Sequence, residues 1–502
     1  MSRAERADVS RTRRTERAGR PNRPERRQTR PVNRGWERFC RGARAAFPLE
    51  GLCYVPPPFA PPLWLSSEPP NASDAMQQTD PNAASSSARA PRVLMVAGEA
   101  SGDVHAAALL RALKARVPGL TAFGMGGAHL RAAGLEALYD ASEISVMGLV
   151  EVLPKLFGIL RVLKSLSREA ALRRPDLAIL VDVPDFNLRL AKRLKALGIP
   201  VVYYVSPMIW ASRPWRARTI RRRVDTMLCI LPFEEPWLKS RGIQARYVGN
   251  PVLDALPPPS EARDFRQRLG LDPCRRTLAL VPGSRRSEIA RVLPVMCAAT
   301  QSLLTRHPDL QIAVPVAPTI DADQLRAFFA RFGLSPALVE GRVCDVVGAS
   351  DAAIVCSGTA ALEAGLMLRP FVVVYRVQPL TALAFRLVRT VKHISLVNLL
   401  AGREIVPELF QRDCTAERVA REAAAFLEDE EKRSRVIREL GEVRSTLGEP
   451  GASRRAADAV IEVLDRLGRL PAGSRTIDAV LTEAPEKATP PADSAATRAG
   501  PS

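Results

Sequence analysis

Asp182 is the residue in this chain best placed to do chemistry. The stretch from Ala178 to Asn187 reads A-I-L-V-D-V-P-D-F-N. The apolar run Leu177 to Val181 ends abruptly in two carboxylates, Asp182 and Asp185, on either side of Pro184, and a helical pattern from Phe186 to Leu197 follows. A buried parallel strand reads this way where it surfaces at its carboxyl end, the end at which open α/β sheets bind ligands. A carboxylate there can take a proton from an alcohol within hydrogen-bond reach, with Asn187 and Ser206 as polar neighbours. Asp185 reads better as a helix cap, because it enters the helix that follows.

Two other turns suit an anion. Leu278 to Val281 leads through P-G-S-R-R-S-E into a helix, and Ile354 to Cys356 leads through S-G-T into A-A-L-E-A-G-L. Small residues at a helix start leave backbone amides free to face a phosphate, and the helix dipole favours negative charge there. Either turn alone is an ordinary strand-to-helix connection with Ser or Thr as cap. The pair, with Ser284, Arg285 and Arg286 in one and Ser357, Gly358 and Thr359 in the other, favours a diphosphate. Glu99, Ser101, Gly102 and Asp103 end the first strand on the same side. They either bind the polar head of an acceptor or cap the helix beginning near Val104, and both readings stay open.

Other chemistries fail on spacing. The chain has no G-x-x-x-x-G-K-[ST]; His129 stands where Gly124-Met125-Gly126 would need its third glycine; and four histidines show no H-E-x-x-H. Asp321-Ala322-Asp323 reads as an acidic helix start, so no metal and no other cofactor is expected. The eight cysteines stand singly, several inside apolar runs, and read as buried thiols in a reducing compartment.

The elements that must hold these residues alternate strand with helix from Arg92 onward, which calls for doubly wound parallel sheets. The fold class expected is α/β, two Rossmann-like domains facing across a cleft. Their bounds are 91–255 and 256–405, with C-terminal helices over 406–470. Those helices cross either to the first domain or to a partner subunit, which leaves a homodimer open. Residues 1–90 and 471–502 are too polar and aperiodic to bury a core and read as disordered. The net charge of +20 owes half to residues 1–44, where fifteen Arg face five Asp or Glu. That arm therefore reads as a dispensable extension, or as a start placed too early with Met76 or Met95 nearer the true one; it does not define a nucleic-acid function.

Gly51 to Ser67 carries five prolines and could not hold a helix across a bilayer, and no signal peptide is legible, so a cytoplasmic protein is expected. Between Glu151 and Arg168, apolar Leu156, Phe157 and Leu160 accompany basic Arg161, Lys164 and Arg168, with Pro154 and Lys155 interrupting the pattern. The stretch 380–392 repeats the idea. Such helices either pack on a core or lie in the interface of an anionic membrane.

G-E-A-S-G-D at 98–103, V-M-G-L-V-E-V-L at 146–153, V-D-V-P-D-F-N at 181–187, Y-V-S-P and I-W-A at 204–211, L-P-F-E at 231–234, P-G-S-R at 282–285, S-G-T-A-A-L-E at 357–363 and N-L-L-A-G-R-E at 398–404 together resemble the lipid-A-disaccharide synthases, from about Arg92 into the 460s. The resemblance implies a metal-independent, inverting glycosyltransferase of the two-domain GT-B fold, working at the cytoplasmic face of the inner membrane. It would join UDP-2,3-diacylglucosamine to 2,3-diacylglucosamine 1-phosphate. It also implies that Asp182 is the catalytic carboxylate, that Arg285, the 357–359 turn, Glu363 and Asn398 serve the donor, and that Ser212 departs from an aromatic on the acceptor side. Rival readings are another UDP-sugar enzyme of this architecture, an N-acetylglucosaminyltransferase or a 2-epimerase, and a non-catalytic membrane- or RNA-associated protein.

Overall fold

The computed structural model describes residues 89–143, 149–258, 260–341, 343–378, 382 and 390–470. The two tails lie outside them, apart from residues 89 and 90, as do most of the 380–392 stretch and the side chain of Leu156.

The first sheet holds β1 (Arg92–Ala97), β2 (Thr121–Gly126), β3 (Glu136–Asp140), β4 (Leu177–Val181), β5 (Val201–Tyr204), β6 (Thr226–Cys229) and β7 (Ala245–Tyr247), in the order β3-β2-β1-β4-β5-β6-β7. The second holds β8 (Thr277–Val281), β9 (Gln311–Val316), β10 (Ala337–Glu340), β11 (Ala352–Cys356), β12 (Phe371–Tyr375) and β13 (Glu408–Phe410), in the order β10-β9-β8-β11-β12-β13. Every pairing is parallel. The central strands β4, β8 and β11 are buried along their whole length, so they read as continuous apolar runs without alternation. Strand order reverses between β1 and β4 in one sheet and between β8 and β11 in the other. Each reversal opens a crevice beyond the strand ends.

Three features add to the expected layout or revise it. β3, β10 and β13 carry polar and apolar residues without a long apolar run, E-A-L-Y-D, A-L-V-E and E-L-F, because they lie on sheet edges. β13 pairs with β12 through Val374 and Leu409, so the second domain runs past residue 405. The last helix, Ala452–Arg466, returns to the first domain of its own chain. Ala456, Val460 and Leu464 are buried in one cluster with Leu109, Leu110 and Leu113 of the Ala100–Arg116 helix. Asp254 caps its start, accepting from the amides of Ala452 and Ser453 at 3.1 and 3.0 Å.

The helix whose apolar-basic pattern Pro154 and Lys155 interrupt is continuous from Leu149 to Arg173. Five of the six described cysteines are buried thiols, while Cys274 is exposed, since it lies in the polar turn before β8 rather than in an apolar run.

Candidate active site

Asp182 caps the carboxyl end of β4 in a left-handed conformation, φ 54°, and Val183 and Val205 share that region at 42° and 64°. Aspartate tolerates it; a β-branched valine does not adopt it without strain, so the ends of β4 and β5 are held by their surroundings. Asn187 supplies part of the hold. Its Nδ2 donates to the carbonyls of Val181 at 3.0 Å and Asp182 at 2.7 Å. The Tyr203 hydroxyl, wholly buried, donates to the same Asp182 carbonyl. The carboxylate is thereby aimed by backbone restraint, and it accepts a hydrogen bond from the Val183 amide. Burial first, and then the Glu99 carboxylate, push its pKa above the ordinary value; the Val183 amide and the Arg285 guanidinium pull it part of the way back.

Glu99 follows β1, the strand beside β4, with Ala97 in register with Val181. Gly102, in the first turn of the next helix, lies where a Cβ would sit 3.5 Å from the Asp182 Cβ and 4.0 Å from the Glu99 Cβ, so both side chains rise from one small patch. Across the cleft, Arg285 Nη2 donates to Glu99 at 3.0 Å and its Nη1 to Glu288 at 2.9 Å. Against burial, which alone would lower it, those two carboxylates raise the Arg285 pKa.

A cavity of about 300 Å³ opens here. Glu99 and Ser101 line it from the first domain; Ser284, Arg285, Ser357, Gly358, Thr359 and Glu363 line it from the second. The helices starting at Arg286 and Thr359 begin beside it, and among the described residues neither start is capped by a side chain. Thr319 Oγ1 donates to the Ser284 carbonyl and steadies that turn. A larger hollow of about 540 Å³ between Arg403 and Glu439 holds none of these groups.

Four expected contacts are spent elsewhere. Both oxygens of Asp103 receive backbone amides, from Gly127 at 2.7 Å, His129 at 2.9 Å and Leu130 at 3.3 Å, so it fastens the turn after β2. A Cβ at Gly127 would lie 2.7 Å from that carboxylate, which only glycine avoids. Asn398 is fully buried, donates to Val406 and Glu408, and accepts from the amides of Ile405 and Val406. It ties its helix to β13 instead of reaching the cavity. Asn187 acts on the Asp182 backbone, and Ser206 is buried with the Glu234 carboxylate beside it. Asp321 caps a helix start, accepting from Asp323 and Gln324. Among the described residues no cluster of three or more His, Cys, Asp or Glu suits a metal.

Sequence reasoning missed Tyr203 and Glu288. Glu288 stands three residues after Arg285, the residue just before the helix start, a spacing at which a side chain reaches back over that start. Tyr203 carries no comparable signal, because a buried strand residue shows its hydroxyl's partner only in three dimensions.

The model of the family described as Lipid-A-disaccharide synthetase matches residues 93–463. The chain belongs to this family. It is an enzyme, a glycosyltransferase. A lipid-A-disaccharide synthase of Myxococcus xanthus is 58% identical over 374 residues, 74% of this chain and 98% of its own. One from Geobacter sulfurreducens is 41% identical over 376 residues, 75% of this chain and 98% of its own. Among solved structures, a putative UDP-N-acetylglucosamine 2-epimerase of Listeria monocytogenes superposes with a TM-score of 0.55 at 14% identity, covering 75% of this chain and 97% of that one. The S. aureus MnaA-UDP co-structure does so at 0.52 and 13%, covering 76% and 98%. At that identity the likeness concerns the fold, the two facing parallel-sheet domains of the GT-B class. No helix among the described residues is long and apolar enough to cross a membrane.

Proposed function

We propose that this family member condenses UDP-2,3-diacylglucosamine with 2,3-diacylglucosamine 1-phosphate, giving the β-1,6-linked disaccharide 1-phosphate and UDP. The observation that carries the reading is convergence. A carboxylate with a raised pKa ends β4 at one switch point, and a guanidinium with two uncapped helix starts marks the other. In the transfer, Asp182 takes the proton of the acceptor hydroxyl, and the oxygen's electron pair forms the new bond to the anomeric carbon. The bond from that carbon to the phosphate oxygen breaks, its pair leaving with UDP, and attack from the opposite face inverts the centre. Arg285, Ser284 and the 357–359 amides hold the charge that builds on UDP, with Glu363 on the donor's other side. Glu99 and Ser101 serve where the two substrates meet, while Asn187 and Asn398 act as positioning residues.

Both substrates are membrane amphiphiles, and a peripheral site on anionic lipid at the cytoplasmic face of the inner membrane goes with them. Phe157 is 82% exposed and Leu160 41%, beside exposed Arg161, Lys164 and Arg168 on the same helix. Val162, Leu163 and Leu166 of that helix face the core. An apolar ridge with basic flanks suits the headgroup region.

The test is transfer by the purified chain, with and without chelator, from diacylated UDP-glucosamine and separately from UDP-N-acetylglucosamine. Disaccharide is expected from the diacylated donor alone. Transfer from the water-soluble donor at equal rate, or its epimerisation at C2, would overturn the substrate assignment. Arg285→Ala is expected to weaken UDP binding, and unchanged affinity would count against the donor site.

A further inference from the structure

Arg285 gives both terminal guanidinium nitrogens to carboxylates in this structure, and the two carboxylates differ in origin. Glu288 lies one helical turn along from Arg285 and travels with it. Glu99 comes from the other domain, 186 residues away in the chain, and its pair with Arg285 spans the cleft at 3.0 Å. A carboxylate and a phosphate bind a guanidinium through the same pair of donors, so a diphosphate at Arg285 competes with Glu99 for that face. We propose that Glu99 is a donor-displaced latch: it ties the domains together through Arg285, and once a diphosphate takes that guanidinium the freed carboxylate strengthens Asp182 as a base. The inference rests on the reading of Arg285 as the diphosphate-binding cation and of Asp182 as the base.

The charges around Asp182 give the displacement a consequence. Glu99 repels its ionised form and Arg285 attracts it, from the loop after β1 and from the second domain respectively. The Val183 amide stabilises the charge from its own turn. The Tyr203 hydroxyl approaches from β5 and is spent on the Asp182 carbonyl. Asp185 and Arg216 act on Tyr203 with opposite sign and pair with each other. A phosphate on Arg285 cancels the attraction that guanidinium exerts across the cleft, while the Glu99 carboxylate, released from its cation, still repels the ionised form of Asp182. Both changes raise the proton affinity of Asp182. The base is therefore strongest when the sugar nucleotide is in place, which favours transfer over idle proton exchange.

Three versions of the full chain decide it: native, Glu99→Gln and Glu99→Asp. Each is titrated with UDP by calorimetry and assayed for transfer across pH at saturating donor. The native chain is expected to bind UDP. Glu99→Gln is expected to bind it roughly three- to tenfold more tightly, the scale of one partly exposed, charge-assisted pair. The acid limb of its turnover profile is expected to move to lower pH. Glu99→Asp, which keeps the charge and shortens the reach to Arg285, is expected to tighten UDP binding while leaving the acid limb nearly in place. Unchanged or weaker UDP binding in Glu99→Gln, with the native chain binding normally, overturns the latch alone. An acid limb that stays put in Glu99→Gln, or moves equally in Glu99→Asp, overturns the coupling to Asp182. A native chain that binds no UDP sinks the donor-site reading and the latch with it.

Discussion

At the scale of single residues, Asp182 combines a raised proton affinity with a backbone that cannot turn away. Its pKa lies above the ordinary carboxylate value because burial and Glu99 outweigh Val183 and Arg285. A base must be deprotonated to act, so turnover falls as pH drops through that raised pKa and levels off above it. Asp182→Asn removes the proton acceptor and keeps the shape. Turnover is expected to fall by a factor of about 10² to 10⁴, the usual worth of a positioned general base, with UDP affinity nearly unchanged. Steady-state kinetics and UDP calorimetry check both halves, and turnover within a few fold of native would remove Asp182 from the role. The position of this aspartate was legible in the sequence because an apolar run ending in a carboxylate has few other readings. The duties of Asp103 and Asn398 were not, because a polar residue beside a strand end looks the same whether it faces a ligand or a backbone amide.

At the scale of elements, the loops after β5 and β6 are joined through one buried carboxylate. Glu234 accepts from Trp210 Nε1 at 3.0 Å and from the Leu231 amide at 3.2 Å, and among the described residues no cation is one of its hydrogen-bond partners; burial pushes its pKa up to about 7. An unfolded glutamate titrates near its ordinary value, so between the two pKa values the folded chain holds more protons than the unfolded one. Its contribution is fully present below the unfolded value, is lost as pH rises toward about 7, and is level above that. Glu234→Gln removes this dependence. The difference in stability between native and Glu234→Gln is expected to change by roughly 3 kcal/mol between pH 4.5 and 7.5, measured by denaturant unfolding. A difference flat across that range would mean that Glu234 is not strained by its burial. The Leu149–Arg173 helix carries the other prediction at this scale. With Phe157→Gln and Leu160→Gln together, binding to vesicles containing anionic lipid is expected to weaken several-fold by sedimentation while the fold stays intact, since both side chains are exposed. Undiminished binding would return that face to ordinary solvent. Periodicity suggested the helix and its basic side, but not which apolar positions were free. Leu160 and Leu163 share an arc in the sequence, and only the sheet beneath shows that Leu163 is core while Leu160 is not.

At the scale of the whole molecule, the two domains are bound by more than the chain between β7 and β8. Thr390 donates from its amide to the Ala211 carbonyl at 2.9 Å and from its hydroxyl to the Trp210 carbonyl at 2.6 Å, reaching the first domain from the second. The last helix makes the larger tie. It leaves the second domain at residue 447, starts on the Asp254 cap, and buries Ala456, Val460 and Leu464 in the first domain's core, while Arg455 donates to the Val248 carbonyl at 2.8 Å. The sequence left open whether these helices crossed to the first domain or to a partner, because an amphipathic helix does not name the surface it covers. The structure puts the helix on the Ala100–Arg116 helix, the same one whose first turn lies against Asp182. Damage to this packing should therefore reach Asp182, the proposed base, before it reaches the proposed donor site around Arg285. Leu464→Ala, at a position with no exposed surface, is expected to cost about 2–5 kcal/mol of unfolding free energy, while exposed Arg466→Ala stays within about 0.5 kcal/mol. In the same Leu464→Ala chain, below its unfolding temperature, turnover should fall while UDP affinity holds, because β8, β11 and their turns are untouched. Equal loss of turnover and UDP binding would instead mean that the helix supports both domains alike, and a cost no larger than that of Arg466→Ala would mean that it does not belong to the first domain's core.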